Sequence, residues 1–393
     1  MISTLKIRVY PNLEQRNLFE KYFGYNRFCF NSFLELWNIM YKNHEKPNYR
    51  KVRDKMKSIF KQLMTIEEYS WIKEFSSQII DTSGEDVERG WKNFFNPAML
   101  NRKPKFKSKK KQQNTFRLYR KNSSTFGLID SRHIKLVKVA PAKTGGLKFK
   151  EKFVEDKINQ GIIKTVTISK KAEKYFASIT IEYKDTKLYQ NENGKKIGID
   201  LGLNDFAVFS NGYKVSNKYL PRLETLYTRV SVYQRILSRK KYTSNNYRKV
   251  RTKLQRTYLD IYNIQHDFLQ KLTTNIIKDY QYIAIEGLNV TGMIKNRRLS
   301  KKISRSLFYT FRTMLQYKSK WYGNTLVEAD TFFPSTQKCS ECGFVKTKET
   351  YGGKQTLHGD SIHHDHQTYY CYNCGAILDR DVNAAINLCN LID

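Results

Sequence analysis

The chain has 393 residues, enough for two or three domains with cores of their own. Lys and Arg number 71 against 36 Asp and Glu, a formal net charge of +35, and the excess is uneven: from Glu341 to Asp393 seven acids meet four bases, so the first 340 residues carry +38. Such a charge, with 27 Tyr and 23 Phe interleaved among the bases, points to nucleic acid as the partner, although a solubility surface or a ribosomal-type protein would also be basic. MISTLKIRVYPNLEQ lacks the apolar stretch of a secretory signal and no apolar run reaches 18 residues, so membrane partners are not expected. A reducing, cytoplasmic setting is expected, and there paired cysteines hold metal more often than they form disulfides.

In chain order, STLKIRVY (3–10) alternates like a strand and Pro11 ends it. From Leu13 to about Phe95 the period becomes helical: Leu18, Phe19, Tyr22 and Phe23, then Phe30, Phe33, Leu34 and Trp37, recur at three and four residues, which reads as a small helical bundle. Arg102 to Lys111 holds seven bases in ten residues and reads as an exposed linker. TFRLYR, HIKLVKV, IIKTVTIS and YFASITIEYK, within 114–185, alternate apolar and polar residues. They predict an antiparallel β-barrel that the first strand could complete, with the helical bundle inserted in it. After a polar break at 191–195, KIGIDLGL, FAVFSNG and YKVS are three short strands, with Asn211–Gly212 as a hairpin turn. A basic helical pair spans roughly 217–280, broken near Tyr242 to Asn246. YIAIE is a buried strand, 303–322 a helix, NTLVEAD (324–330) a strand, and a helix closes the chain from about Val382. Three antiparallel strands, then helix, strand, helix, strand and helix, is the order of an RNase H-like α/β domain.

Three acids stand out against this order. Asp200 lies in GIDLGLNDFAVF, Glu286 in YIAIEGLNV and Asp381 in CGAILDRDVNAAINL. Two end or interrupt strand-like apolar runs and the third opens a small-residue helix. Such carboxylates are poor core residues and good Mg²⁺ ligands. In an RNase H-like domain the three positions converge on one sheet edge, where they can hold two Mg²⁺ ions about 3.5–4 Å apart. Taken singly, each acid is better explained by a turn or a cap: Asp379 or Asp381 could cap the last helix, and Asp205 suits the turn between the first two strands.

Cys339, Cys342, Cys371 and Cys374 form two C-x-x-C pairs separated by 28 residues. Four thiolates close a tetrahedral zinc site with no open position, so this zinc is expected to be structural. Cys29 and Cys389 stand alone as packing residues. His358, His363, His364 and His366 lie between the pairs and read as a solvated loop, with a secondary metal or nucleic-acid role as the alternative. Three basic clusters are candidates for phosphate contact: Lys103, Lys105, Lys107, Lys109 and Lys110; Arg239, Lys240 and Lys241; and Lys295, Arg297, Arg298, Lys301 and Lys302. Each cluster alone is as often a solvated face.

The motifs around the three acids, with MLQYKSKWYGNTLVEAD and KCSECG, resemble the RuvC-type core and zinc finger of the TnpB family, and LKIRVYPNLEQRNLF, GYNRFCFNSFLE and KPKFKSKK fit its earlier segments. TnpB proteins are transposon-encoded, RNA-guided DNA nucleases related to compact type V CRISPR effectors and to eukaryotic Fanzor proteins. The resemblance implies a β-barrel wedge domain over 1–12 and 112–190 and a helical recognition domain over 13–111. It also implies a RuvC-like nuclease domain over 191–333 and 375–393 and a zinc finger over 334–374. It implies a guide RNA and a target DNA duplex read beside a short motif, with Asp200, Glu286 and Asp381 as the catalytic acids, and a nuclear location in place of a cytoplasmic one should the host be eukaryotic. Two departures matter: the loop between the cysteine pairs is longer than usual, and Gln270 stands where the family often has His. A nuclease-inactive, guide-directed repressor would lack one of the acids. A transposase or junction resolvase of the same fold would not need the roughly 190 residues ahead of its core.

Overall fold

In a computed structural model, the structure describes residues 1–97, 101–109, 114–120, 126–184, 192–216, 221–242, 244–347 and 367–392. The chain divides into two units, Met1–Lys184 and Asp185–Asp393.

The first unit begins with β1 (Ile2–Val9) and the 30-residue α1 (Leu13–Lys42). Asn12 starts this helix through a reciprocal cap: the Gln15 N–H donates to Asn12 Oδ1 at 2.8 Å and the Asn12 N–H to Gln15 Oε1 at 3.1 Å. Helices α2 (Tyr49–Leu63) and α3 (Gln78–Phe95) pack on it. Then come β2 (Thr115–Tyr119), β3 (Phe126–Asp130), β4 (His133–Leu136), β5 (Leu147–Lys148), the short α4 (Phe153–Asn159), β6 (Gly161–Lys171) and β7 (Lys174–Tyr183). The helical run therefore falls between β1 and β2. One sheet has the order β1-β7-β6-β2 and is antiparallel throughout; the other has the order β3-β4-β5. Phe19 and Phe23 of α1 meet Phe116 of β2, so helices and sheets share one core.

The closed barrel predicted from the alternation does not form among the described residues. β1 and β2 remain the two edges of the four-stranded sheet, and β1 reaches beyond it through a single isolated bridge, Val9 to Phe149. Alternation of side chains says which face of a strand is buried, not whether the two edges meet.

The second unit opens with β8 (Lys196–Asp200), β9 (Asp205–Phe209) and β10 (Lys214–Ser216), followed by α5 (Pro221–Ser238) and the 35-residue α6 (Asn245–Asp279). Next come β11 (Tyr282–Ile285), α7 (Val290–Ile294), α8 (Ser300–Ser306), α9 (Phe308–Tyr322), β12 (Thr325–Glu328), β13 (Thr368–Tyr370), β14 (Ile377–Asp379) and α10 (Arg380–Cys389). The predicted helix over 303–322 is interrupted at Leu307, whose φ of +60° ends α8 and starts α9. The main sheet has the order β10-β9-β8-β11-β12; β8 to β10 are antiparallel, while β8, β11 and β12 run parallel. One face carries Ile197, Ile199, Ile283 and Ile285 against Ile276 of α6 and Phe311 of α9. On the other, Ala284 packs with Leu388 of α10. No helix among the described residues is long and apolar enough to cross a membrane.

Candidate active site

Asp200 is the last residue of β8 and Glu286 the first after β11. The strands are parallel with Ile199 opposite Ile285, so the next position along each brings Asp200 and Glu286 side by side on neighbouring strands, roughly 5 Å apart. Side chains alternate along a strand. With Ile199 and Ile285 turned into the core beneath α6 and α9, the two acids fall on the opposite face, the one α10 covers. That helix lies close because residue 198 is Gly: a Cβ there would overlap the Ala385 carbonyl and crowd the Cys389 backbone. Asp381 stands in the first turn of α10 and so arrives over the same strand ends.

The electrostatics register this gathering. Asp200 is 7% exposed. Burial first, then the charges of Glu286 and Asp381, push its carboxyl up to about 8, against the opposing pull of Arg380. Burial also raises Glu286. Arg380 directs both Nε and Nη2 at Asp381 Oδ1, at 3.0 and 2.8 Å. Asp379 caps α10, accepting from the N–H groups of Asp381 and Val382, and pairs with Lys214 of β10. The two acids of the D-R-D run thus separate: Asp379 is occupied as cap and ion pair, and Asp381 is the one whose charge bears on Asp200. In this structure the oxygens of the three carboxylates do not all lie within 4.8 Å of one another; among the described residues the four cysteines are the one ligand set that does. One buried and two half-buried carboxylates, whose charges raise Asp200, are hard oxygen donors that suit a hard dication such as Mg²⁺, which would relieve the repulsion.

The cysteine cluster is built from two matching turns. In each, the sequence is C-x-x-C-G: the Gly343 N–H donates to the Cys339 carbonyl at 3.0 Å, and the Gly375 N–H to the Cys371 carbonyl at 2.8 Å. Both glycines have positive φ, 76° and 73°, which a side chain would strain. The Cys339–Cys374 and Cys342–Cys371 sulfurs are 3.9 and 3.6 Å apart, unbonded, and close to the roughly 3.8 Å edge of a tetrahedron with zinc–sulfur bonds near 2.3 Å. The Phe344 N–H aimed at Cys342 pulls that thiol down, whereas burial raises its neighbour Cys339. The four cysteines therefore fit a structural zinc. β13 and β14 pair as a hairpin flanking Cys371 and Cys374, and α10 holds the loop around Cys339: Asn383 accepts from the Ser340 N–H and donates to the Lys338 carbonyl, both at 2.8 Å, while Asn387 donates to the Ser335 and Lys338 carbonyls.

Residues 178–297 match a family model described as a probable transposase (OrfB_IS605), residues 308–388 one described as a Cas12f1-like TNB domain, and residues 1–46 one described as a helix-turn-helix domain. A Streptomyces pristinaespiralis protein named "Putative RNA-guided DNA endonuclease" is 29% identical over 385 residues, covering 98% of this chain and 87% of its own. An Acanthamoeba polyphaga mimivirus protein named TnpB-like protein L770 is 24% identical over 409 residues, covering 98% of this chain and 72% of its own. The chain belongs to the TnpB family. A cryo-EM structure of a Cas12f1-sgRNA-target DNA complex aligns over 99% of both chains at 13% identity, with a TM-score of 0.34, too low to add to this.

In this TnpB-family chain the segment matched as a helix-turn-helix is β1 and the uninterrupted α1. The first basic cluster is not a free linker over its described part. Asn31 binds the Lys107 backbone at both N–H and carbonyl, Lys107 lies over the Phe30 ring, and Pro104 sits against Gly90. Lys107 is half-buried, whereas Lys103, Lys105 and Lys109 are exposed; Lys110 lies outside the described residues. Arg239 and Lys240 follow the end of α5 and Lys241 comes next, Lys295, Arg297 and Arg298 lie between α7 and α8, and Lys301 and Lys302 are on α8, all exposed except Lys240, which is half-buried. The histidines of 358–366 also lie outside the described residues. Sequence reasoning missed Asn383 and Asn387, which carry the finger's attachment to the TnpB-family catalytic helix candidate. Their i, i+4 spacing among alanines was the available signal.

Proposed function

We propose that the chain is an RNA-guided, Mg²⁺-dependent DNA endonuclease whose active centre is Asp200, Glu286 and Asp381. The observation that carries this reading is the convergence of these carboxylates, two by strand register and one from α10, on one face at the ends of parallel strands. Mg²⁺ bound there would activate water and stabilise the leaving oxygen of a phosphodiester. Arg380 orients the Asp381 carboxylate, and Lys214 and Asp379 fix the start of the helix that carries it. The mixed sheet, with its three antiparallel strands followed by two parallel ones, supports a RuvC-like domain over 191–333 and 375–393 with the finger at 334–374. By the same reading 13–111 is the recognition bundle and 1–12 with 112–190 the wedge. The name of the Streptomyces relative supports the guide RNA and the DNA target, and the +35 charge suits two polyanionic strands.

The test starts from the full chain and the RNA that co-purifies with it. That RNA, once sequenced, defines a matching plasmid target. Mg²⁺-dependent cutting of the matched plasmid and not of an unmatched one is the expected result. Absence of a defined RNA, or cutting that ignores the match, would overturn the proposal.

A further inference from the structure

A cavity of about 520 Å³ opens between α1 and α3 of the first unit, far in sequence from the acids. Its walls are rings: Trp37 and Trp91 stack at 15°, Trp91 and Phe95 at 24°, and Tyr41 lies 5.3 Å from Trp91. Trp37 and Trp91 are 5% and 2% exposed and form the floor, whereas Tyr41 and Phe95 are 48% and 55% exposed and form the lips. Packing of the bundle accounts for the two tryptophans. It does not account for two large exposed rings held against them.

The volume lies in the range of small-ligand sites, roughly 300–1,000 Å³. Two acids line the pocket, and both are already engaged: Glu45 with Lys55, and Glu88 with Lys92 and the Tyr49 N–H. A cation caged by aromatic rings would therefore find its counter-charges spent. Beside the pocket runs the anchored basic segment, with the Lys103 ammonium 5.1 Å from the centre of the Trp91 ring and Lys105 and Lys109 exposed along the same stretch. Exposed rings next to a row of exposed lysines are the features that hold an unpaired nucleotide, the ring stacking on the base and the ammonium groups following the phosphates.

We infer that this pocket takes an unpaired nucleobase of a nucleic-acid strand, stacked on the exposed faces of Tyr41 and Phe95, while Lys103, Lys105 and Lys109 follow the strand's phosphates. The inference rests on the nucleic-acid half of the proposed function and is independent of cleavage.

The test uses the full chain, freed of co-purifying nucleic acid by salt. Fluorescence anisotropy compares 12-nucleotide strands carrying all their bases with strands of equal length and charge lacking bases at the central positions, in one RNA and one DNA arm. The Tyr41→Ala/Phe95→Ala variant should lose about tenfold of the preference for the base-bearing strand in at least one arm, with its salt dependence unchanged, and the arm affected names the strand. Tyr41→Phe/Phe95→Tyr should keep the preference. An unchanged preference in an alanine variant with native circular dichroism would overturn the inference. A second readout needs no variant: a 4-thiouridine or 4-thiothymidine strand should crosslink to 37–48 or 91–96 of the native chain, and crosslinks confined to other segments would overturn it. Protection of Trp fluorescence by tetramethylammonium and not by the strands would reassign the pocket to a cation. Loss of the preference in a chain that never cuts DNA would leave the pocket standing and sink the nuclease reading; guided cutting with an unchanged preference would do the reverse.

Discussion

The two aspartates of Leu378-Asp379-Arg380-Asp381 show how much one residue's position decides. Asp379 has its oxygens committed to two backbone N–H groups and to Lys214, whereas Asp381 is held by Arg380 and its charge raises the buried Asp200. Asp379→Ala should therefore lower stability by about 1 kcal/mol, the usual cost of removing an N-cap, and reduce cleavage only modestly. Asp381→Ala should leave the melting temperature nearly unchanged and reduce cleavage by about 10³-fold or more, because residues that act as a unit fail together. Melting curves and a plasmid assay on the two variants check both halves; equal activity losses would contradict the distinction. Asp200 and Glu286 stood out in the sequence because each ends an apolar strand, and the structure places them side by side on neighbouring parallel strands. Which aspartate of the run caps the helix was not legible from residue type alone, since either one can. Asn383 and Asn387 escaped notice because their partners, the backbone of 335–340, lie more than 40 residues away in sequence and carry no side-chain signature.

At the scale of elements, α10 joins the finger to the acids. Its N-terminal turn holds Asp381, and the residues that follow include the asparagines that grip the backbone on both sides of Cys339. Chelating the zinc should therefore loosen the helix that carries Asp381 as well as the finger. About one zinc per chain is expected, lost in Cys371→Ser. Asn383→Ala should cost about 1–3 kcal/mol, since it strips the side-chain partner from the Ser340 N–H and leaves the Lys338 carbonyl with Asn387 alone, and should speed zinc release to a chromogenic chelator. Zinc retention as in the native chain would contradict the link.

A second pairing of elements carries its own pH signature. Lys318 of α9 is 4% exposed and donates to the Gln270 carbonyl and to the hydroxyls of Thr273 and Thr274 on α6, all neutral acceptors. Burial lowers its pKa from the ordinary 10.5 to about 8. Between those values the unfolded chain binds more protons than the folded one, so raising the pH through that window favours the folded state. The Tm of the native chain, measured against Lys318→Met, should rise from pH 8 toward 10.5, and a constant difference would contradict the buried charge. The strands were legible wherever alternation was clean, as in 162–183. Closure of the barrel was not, because it depends on two edges meeting. Nor was the docking of 102–109, which the run of charge disguised as a linker and which Asn31, Phe30 and Gly90 hold in place.

For the whole molecule, charge and chemistry make separate predictions. Replacing Lys103, Lys105 and Lys109 together by Gln should weaken nucleic-acid binding without altering the preferred target sequence. Its salt dependence should flatten by roughly 0.7–0.9 log units per log salt for each phosphate no longer neutralised. An unchanged slope would return these lysines to the solvated surface. The central claim is that Asp200 belongs to a nuclease centre directed by RNA. Its most direct test is one assay: the full chain with its co-purified RNA, a supercoiled plasmid matched to that RNA, Mg²⁺, and the same complex carrying Asp200→Ala. Linear product from the native complex and intact plasmid from the variant, with RNA and target still bound in both, is the predicted result. Linear product at equal rates from both complexes would contradict it.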